Sequence, residues 1–166
     1  TNTLDNGATS NAAIVAALIS GRIESGVDSG EANRAWASES RSLGSGANET
    51  LDLYQMTGLD IGAGSGNDGL GQACLFEEIV AIVIVHNSGA GRLQIEPGTA
   101  NPLTALGSLT VANDGALNAD GVRAAIEFGA AGIDLSTSKK NVKFSAVGGA
   151  VVYSIYVLGR HDDDES

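Results

Sequence analysis

The sequence predicts an all-β protein: a β-sandwich or jelly-roll-like single domain, preceded by an N-terminal arm or short helix. Three observations carry this expectation. About eight short segments between residues 35 and 158 alternate in polarity or are rich in β-branched residues. The chain has 23 glycines and 2 prolines with no strict period, the mark of many turns. After the first 22 residues there is no long helical pattern to supply the crossovers that a parallel α/β sheet needs.

Taken in order, Thr1 to Asn11 is small and polar and reads as an extended arm. Between Ala12 and Arg22 the apolar residues Ile14, Val15, Leu18 and Ile19 fall on one helical face, with Ser10 or Asn11 as cap and Gly21 as stop. A β-type arm is the alternative, because Ile and Val also form strands. Glycine and serine then dominate from Ser20 to Gly30, as in a hinge. The expected division is an arm or short helix over 1–30, a β-sandwich domain over 31–160 and an acidic tail over 161–166.

From Ala35 the period becomes two. Trp36, Ser38, Ser40 and Ser42 share one face, and Ala35, Ala37, Glu39 and Arg41 share the other. Neither face is apolar, which suggests a weak edge strand. A Gly-Ser-Gly turn follows, and Thr50 to Tyr54 can return as a second strand. Leu59 to Gly71 is a glycine-rich loop. Ile79 to Val85 is apolar on both faces and is expected to be buried on both sides. Arg92 to Glu96 places Leu93 and Ile95 inward, and Ser108 to Val111 is a further short strand. Val122 to Phe128 puts Val122, Ala124, Ile126 and Phe128 on one side, and Gly132 to Leu135 continues the pattern. Asn141 to Ala146 turns Val142, Phe144 and Ala146 inward. Gly148-Gly149 is a hairpin signal, with Ala150 to Leu158 as the return strand.

Composition narrows the function. The formal net charge is −11, and Asp162, Asp163, Asp164 and Glu165 crowd the C-terminal end. Such a surface repels phosphate backbones and anionic lipid, so neither nucleic acid nor membrane is expected as a partner. The one cysteine, Cys74, excludes an internal disulfide. No signal-peptide pattern opens the sequence, and a reducing cytoplasm is the simplest place of synthesis.

Each motif that could carry chemistry has a plainer explanation. Gly64-Ser-Gly-Asn-Asp-Gly69 matches G-x-G-x-x-G, but the residues after it do not read as the helix a dinucleotide site requires, so a loop accounts for it better. His161 with the Asp162–Glu165 run could attract a divalent cation, although a solvated tail explains it as well. Asn113, Asp114, Asn118 and Asp120 loosely follow calcium-ligand spacing but lack a terminal bidentate Glu, and turn formation suffices. His86 near Ser88 lacks an orienting carboxylate. Cys74 has no basic neighbour in sequence. Glu77-Glu78 could be an acid/base pair, but charges before an apolar strand more often discourage aggregation. Asn48-Glu-Thr50 is a formal sequon without evident use. Trp36, Tyr54, Tyr153 and Tyr156 are too scattered for a sugar-binding platform. No catalytic residue, cofactor or metal site is expected.

Several segments together resemble a known group. Ala32-Asn-Arg-Ala-Trp36, Arg41-Ser-Leu43 and Glu49-Thr-Leu-Asp-Leu53 occur in the order seen in small virion proteins of tailed bacteriophages. So do Ile79 to Ser88, Leu93-Gln-Ile-Glu-Pro97, Asn141-Val-Lys-Phe-Ser145 and Gly148 to Gly159. The resemblance covers roughly Glu31 to Gly159. It departs at Thr1 to Gly30, which is longer and more apolar than in that group, and at the acidic tail. It implies a non-enzymatic structural role without choosing the location in the particle; the leading expectation is a capsid decoration (cement) protein. Such a protein would sit on the outer capsid surface after assembly in the host cytoplasm, with the major capsid protein and its own copies as partners. A homotrimer is favoured over a dimer, and Ile14, Val15, Leu18 and Ile19 are the expected partner contacts. A tail- or fibre-associated virion protein and a carbohydrate-binding β-sandwich module are the alternatives.

Overall fold

The computed structural model describes residues 24–25, 28–29, 31–56, 75–112 and 122–161. The protein is an all-β sandwich, and among the described residues a 3-10 turn at Thr104–Leu106 is the only helical element.

Its logic is that of one long ribbon rolled up. β3 (Arg34–Leu43) pairs with β11 (Val151–Arg160), and β4 (Asn48–Asp52) with β10 (Asn141–Val147). β5 (Glu78–Ser88) pairs with β8 (Val122–Glu127), and β6 (Arg92–Pro97) with β7 (Leu109–Ala112). All four pairs are antiparallel, so the first half of the chain runs against the second. Rolling the ribbon adds the pairs β11–β5 and β10–β6. The result is two sheets, ordered β3-β11-β5-β8 and β4-β10-β6-β7. This strand order is that of the jelly roll. β9 (Ile133–Asp134) adds to β5, and ahead of the roll β1 (Glu24–Ser25) runs parallel to β2 (Glu31–Ala32).

The core lies between the sheets. Leu93, Ile95, Val142, Phe144 and Ala146 enter it from one side, as their alternation predicts. Val151, Tyr153, Ile155 and Val157 enter from the other, beside Ile82 and Ile84. The Phe144 and Tyr153 rings stack across the gap with centroids 5.2 Å apart and planes inclined by 11°. β5 is buried on both faces from Ile79 to Ile84, as expected of its unbroken apolar run. On β8, Ala124 and Phe128 pack toward the core while Ala125 and Glu127 are exposed, again in the expected sense.

Three local expectations change. Gly148-Gly149 does not close a hairpin, because β10 and β11 lie in opposite sheets. The turn at Gly44–Gly46 likewise carries the chain from one sheet to the other, and β4 pairs with β10 rather than with β3. β3 is an edge strand as expected, but its faces are not fixed along its length. The register with β11 shifts between Tyr153 and Ile155, where Ser40 adopts φ 57° and its amide donates to Ser154 Oγ at 3.2 Å. This bulge advances the pleat by one residue. Trp36 and Ser38 therefore point inward before it, and Arg41 and Leu43 after it, opposite Tyr153 and Val151. The strand thus buries Trp36 and Leu43 together, which strict alternation forbids.

Candidate interaction surface

Two polar clusters, the first of them partly buried, organise the molecule. The first joins the sheets. The bulge turns Arg41 toward the core, where its guanidinium forms an ion pair with Glu49 of β4 and donates to Ser38 Oγ at 3.1 Å. The Tyr153 hydroxyl donates to Glu49 Oε1 at 2.7 Å. Burial and the bond to Glu49 push the Tyr153 phenol far above its ordinary value of 10.0. Burial opposes the Arg41 charge, but Glu49 outweighs it and the guanidinium pKa is raised.

The second cluster closes the end of the roll. Arg160, the last residue of β11, is 4% exposed. Its guanidinium pairs with Glu78 and donates to four main-chain carbonyls: Asp28 at 3.0 Å, Glu31 at 3.2 Å, Ala130 at 3.1 Å and Ala131 at 2.8 Å. Beside it, Asn33 Nδ2 donates to the His161 carbonyl and the His161 amide donates back to Asn33 Oδ1. The segment before β3, read as a hinge, is thus held where it is described.

A third feature is the outer face of the β3-β11-β5-β8 sheet. Ala37, Ala81, Val83 and Tyr156 form a second apolar cluster there, with Val85 and Leu158 packed against it. The register places them side by side, with Tyr156 opposite both Ala37 and Val83, and Leu158 opposite Ala81. The Tyr156 hydroxyl donates to Glu39 Oε1 at 3.1 Å.

The other candidates from the sequence are not brought together as sites. His86 is fully buried beneath the turn after β5, where Nε2 donates to the Gly91 carbonyl at 2.9 Å; Ser88 is exposed beyond it. Glu77 and Glu78 take separate partners: Glu78 goes to Arg160, and Glu77 lies 3.4 Å from His161 Nδ1. Trp36, Tyr153 and Tyr156 are buried, so among the described residues they offer no aromatic platform. No group of three or more metal-ligating side chains occurs among the described residues, and no helix there is long and apolar enough to cross a membrane. Ile14, Val15, Leu18 and Ile19, the Gly64–Gly69 motif, Cys74, the Asn113–Asp120 cluster and the Asp162–Glu165 tail lie outside the described residues.

The sequence reading missed both polar clusters. A signal for the second existed: Arg160 continues an apolar strand, and a cation in that setting calls for a buried partner.

No protein-family model matches the sequence, and no curated protein matches it. Two solved structures of the coat protein of Tobacco streak virus align with the fold. One, of the coat protein dimer, shares 10% identity over 77% of this chain and 85% of the other, at a TM-score of 0.32. The second shares 13% identity over 80% and 94%, also at 0.32. The jelly-roll assignment rests on strand order and register.

Proposed function

We propose that this chain is a virion structural protein, and within that class a capsid decoration (cement) protein of a tailed bacteriophage. The observation that carries the reading is how the fold uses the segments resembling that group. Arg41, Glu49 and Tyr153 come from three separate segments of the resemblance and meet in one partly buried network. The segments from Ile79, Leu93, Asn141 and Gly148 supply β5, β6, β10 and β11, the inner strands of both sheets. Jelly rolls serve capsid, lectin and cupin proteins alike, so the motif order rather than the roll selects the class.

On this reading the protein sits on the outer capsid surface and braces neighbouring copies of the major capsid protein. A ligand that binds only the assembled lattice stabilises that lattice by mass action. The arm bearing Ile14, Val15, Leu18 and Ile19 is the docking element, and the roll contacts its own copies, as a trimer at threefold positions in preference to a dimer. Linked modest contacts at symmetric sites bind far more tightly than one. Neither catalysis, nucleic acid nor membrane enters.

The test is the washed virion. Mass spectrometry and immunogold labelling should find the protein on the head, in a fixed ratio to the major capsid protein. A chain lacking residues 1–30 should leave particles largely undecorated. Absence from washed virions sinks the reading, and full occupancy by the shortened chain removes the arm's role.

A further inference from the structure

We infer that two copies of this chain join edge to edge through β4, antiparallel about a twofold axis at Thr50, so that the β4-β10-β6-β7 sheet runs on into the second copy. The contact goes beyond the function proposed above and does not rest on it.

An edge strand carries a row of main-chain groups that can template another strand. On β4 the register fixes which residues carry them. The Leu53 amide donates to the Lys140 carbonyl, and the Ala146 amide to the Ala47 carbonyl, both at 2.9 Å. Between these ends Leu51 lies opposite Val142 and Glu49 opposite Phe144, so the odd-numbered residues of β4 bond to β10. The N–H and C=O groups of Asn48, Thr50 and Asp52 therefore point away from β10. Among the described residues those groups have no partner. The side chains of Asn48 and Thr50 are exposed as well.

Proteins guard such edges with bulges, prolines or unpaired charges. β3, at the edge of the other sheet, has its bulge at Ser40, whose amide turns back to Ser154 Oγ. β4 has no such guard. It contains no proline, and its register with β10 is unbroken from Asn48 to Asp52. Its two carboxylates are answered within the molecule, Glu49 by Arg41 and Asp52 by Lys140 at 2.6 Å.

The residues select a second copy, and one register of it. With Thr50 opposite Thr50, Asn48 of each copy faces Asp52 of the other, an amide against a carboxylate. All three outward residues then exchange both main-chain bonds. Two β-branched side chains meet at the axis, a favourable cross-strand pair. Centred on Glu49 or on Asp52, the strands would set like charges face to face. Centred on Leu51, Asn48 would meet Tyr54, whose amide already goes to Asp52 Oδ1 and whose carbonyl holds the Phe76 amide.

Such a contact is narrow, well below the area of a stable dimer. The net charge of −11 on each copy opposes it. It therefore forms where copies crowd and dissolves in dilute solution. Being twofold, it is separate from any threefold contact and would link one trimer to the next.

The test uses the free full-length chain. Hydrogen exchange followed by nuclear magnetic resonance should show the amides of Asn48, Thr50 and Asp52 slowing several-fold from dilute to near-millimolar protein, while that of Ser45 keeps its rate. In a Cys74→Ser background, Thr50→Cys should oxidise to a disulfide dimer, because bonded opposite residues lie about 5.5 Å apart at Cα. Asn48→Cys, on the same strand, should not, since four residue steps, about 13 Å, separate the two copies of that position. Thr50→Pro should return Asn48 and Asp52 to fast exchange with the Phe144–Tyr153 ring contact kept, because proline fits an edge whose N–H points outward. Exchange independent of concentration, or equal oxidation of the two cysteine variants, would overturn the inference. The unsubstituted chain decides even where a variant fails to fold. Because no virion enters, failure here leaves the proposed function standing, and absence from virions leaves this inference standing.

Discussion

The hydroxyl of Tyr153 and the carboxylate of Glu49 bond across the two sheets of the roll, 2.7 Å apart, from strands 104 positions apart in sequence. Arg41 joins them from the edge strand, so one polar triad ties β3, β4 and β11 together.

Removing the phenol tests that tie. Tyr153→Phe keeps the ring stacked on Phe144 and leaves Glu49 with Arg41 alone. It should cost about 1–2 kcal/mol, read from urea unfolding. Glu49→Ala should cost more, about 3 kcal/mol, because it strands a half-buried guanidinium. In the double variant the two losses should fall short of their sum, since the residues share one network.

Alkali tests the same residue through its proton. The Tyr153 phenol is raised above 10.0 by burial and by its bond to Glu49. The unfolded chain therefore releases this proton at a lower pH than the folded one. The contribution to stability is complete below about pH 10 and declines as pH rises above it. Unfolding midpoints in urea should drop between neutral and strongly alkaline buffer. In Tyr153→Phe the part of that drop due to this residue should be missing.

Arg160 predicts a loss that lysine does not restore. Its guanidinium serves Glu78 and four carbonyls from two separate segments. Lysine has a single charged head and cannot reach all of them. Arg160→Ala should cost about 3–5 kcal/mol. Arg160→Lys should recover part of the stability but not the anchoring, so limited proteolysis should cut near residues 24–33 in both variants and spare the parent.

Gly159 should tolerate no side chain. A Cβ there would lie 2.1 Å from the Glu78 carbonyl oxygen and 2.4 Å from the Phe76 ring. Gly159→Ala should either fail to accumulate as folded protein or melt far below the parent. Gly148→Ala is the control: φ is +77° but nothing lies within 4 Å, so the cost should be about 1 kcal/mol of backbone strain. Equal melting temperatures for the two variants would contradict this packing.

Much of the roll was legible because alternation is a local quantity. Leu93 and Ile95, or Val142, Phe144 and Ala146, carry their inward direction in their own spacing. What spacing does not contain is the identity of a strand's partner. The glycines after Leu43 and after Val147 look like hairpin turns, yet in a rolled ribbon such turns pass between sheets. The bulge at Ser40 was hidden for a related reason. Serine permits a positive φ without demanding it, so the reversal of faces that brings in Arg41 and Leu43 left no mark in the pattern. The polar clusters were less legible still, since Arg41, Glu49 and Tyr153 are neighbours only once three strands have met.

The pairing of β3 with β11 also governs the order of events during synthesis. β3 sits at the edge of its sheet and β11 is its one neighbour in that sheet, so the first long strand among the described residues waits for the last of them. Until β11 is made, Trp36 and Leu43 lack the strand they pair beside, and the core they join stays incomplete. Closure of the fold therefore rests on contacts of high sequence separation, slow by nature and open to chaperones.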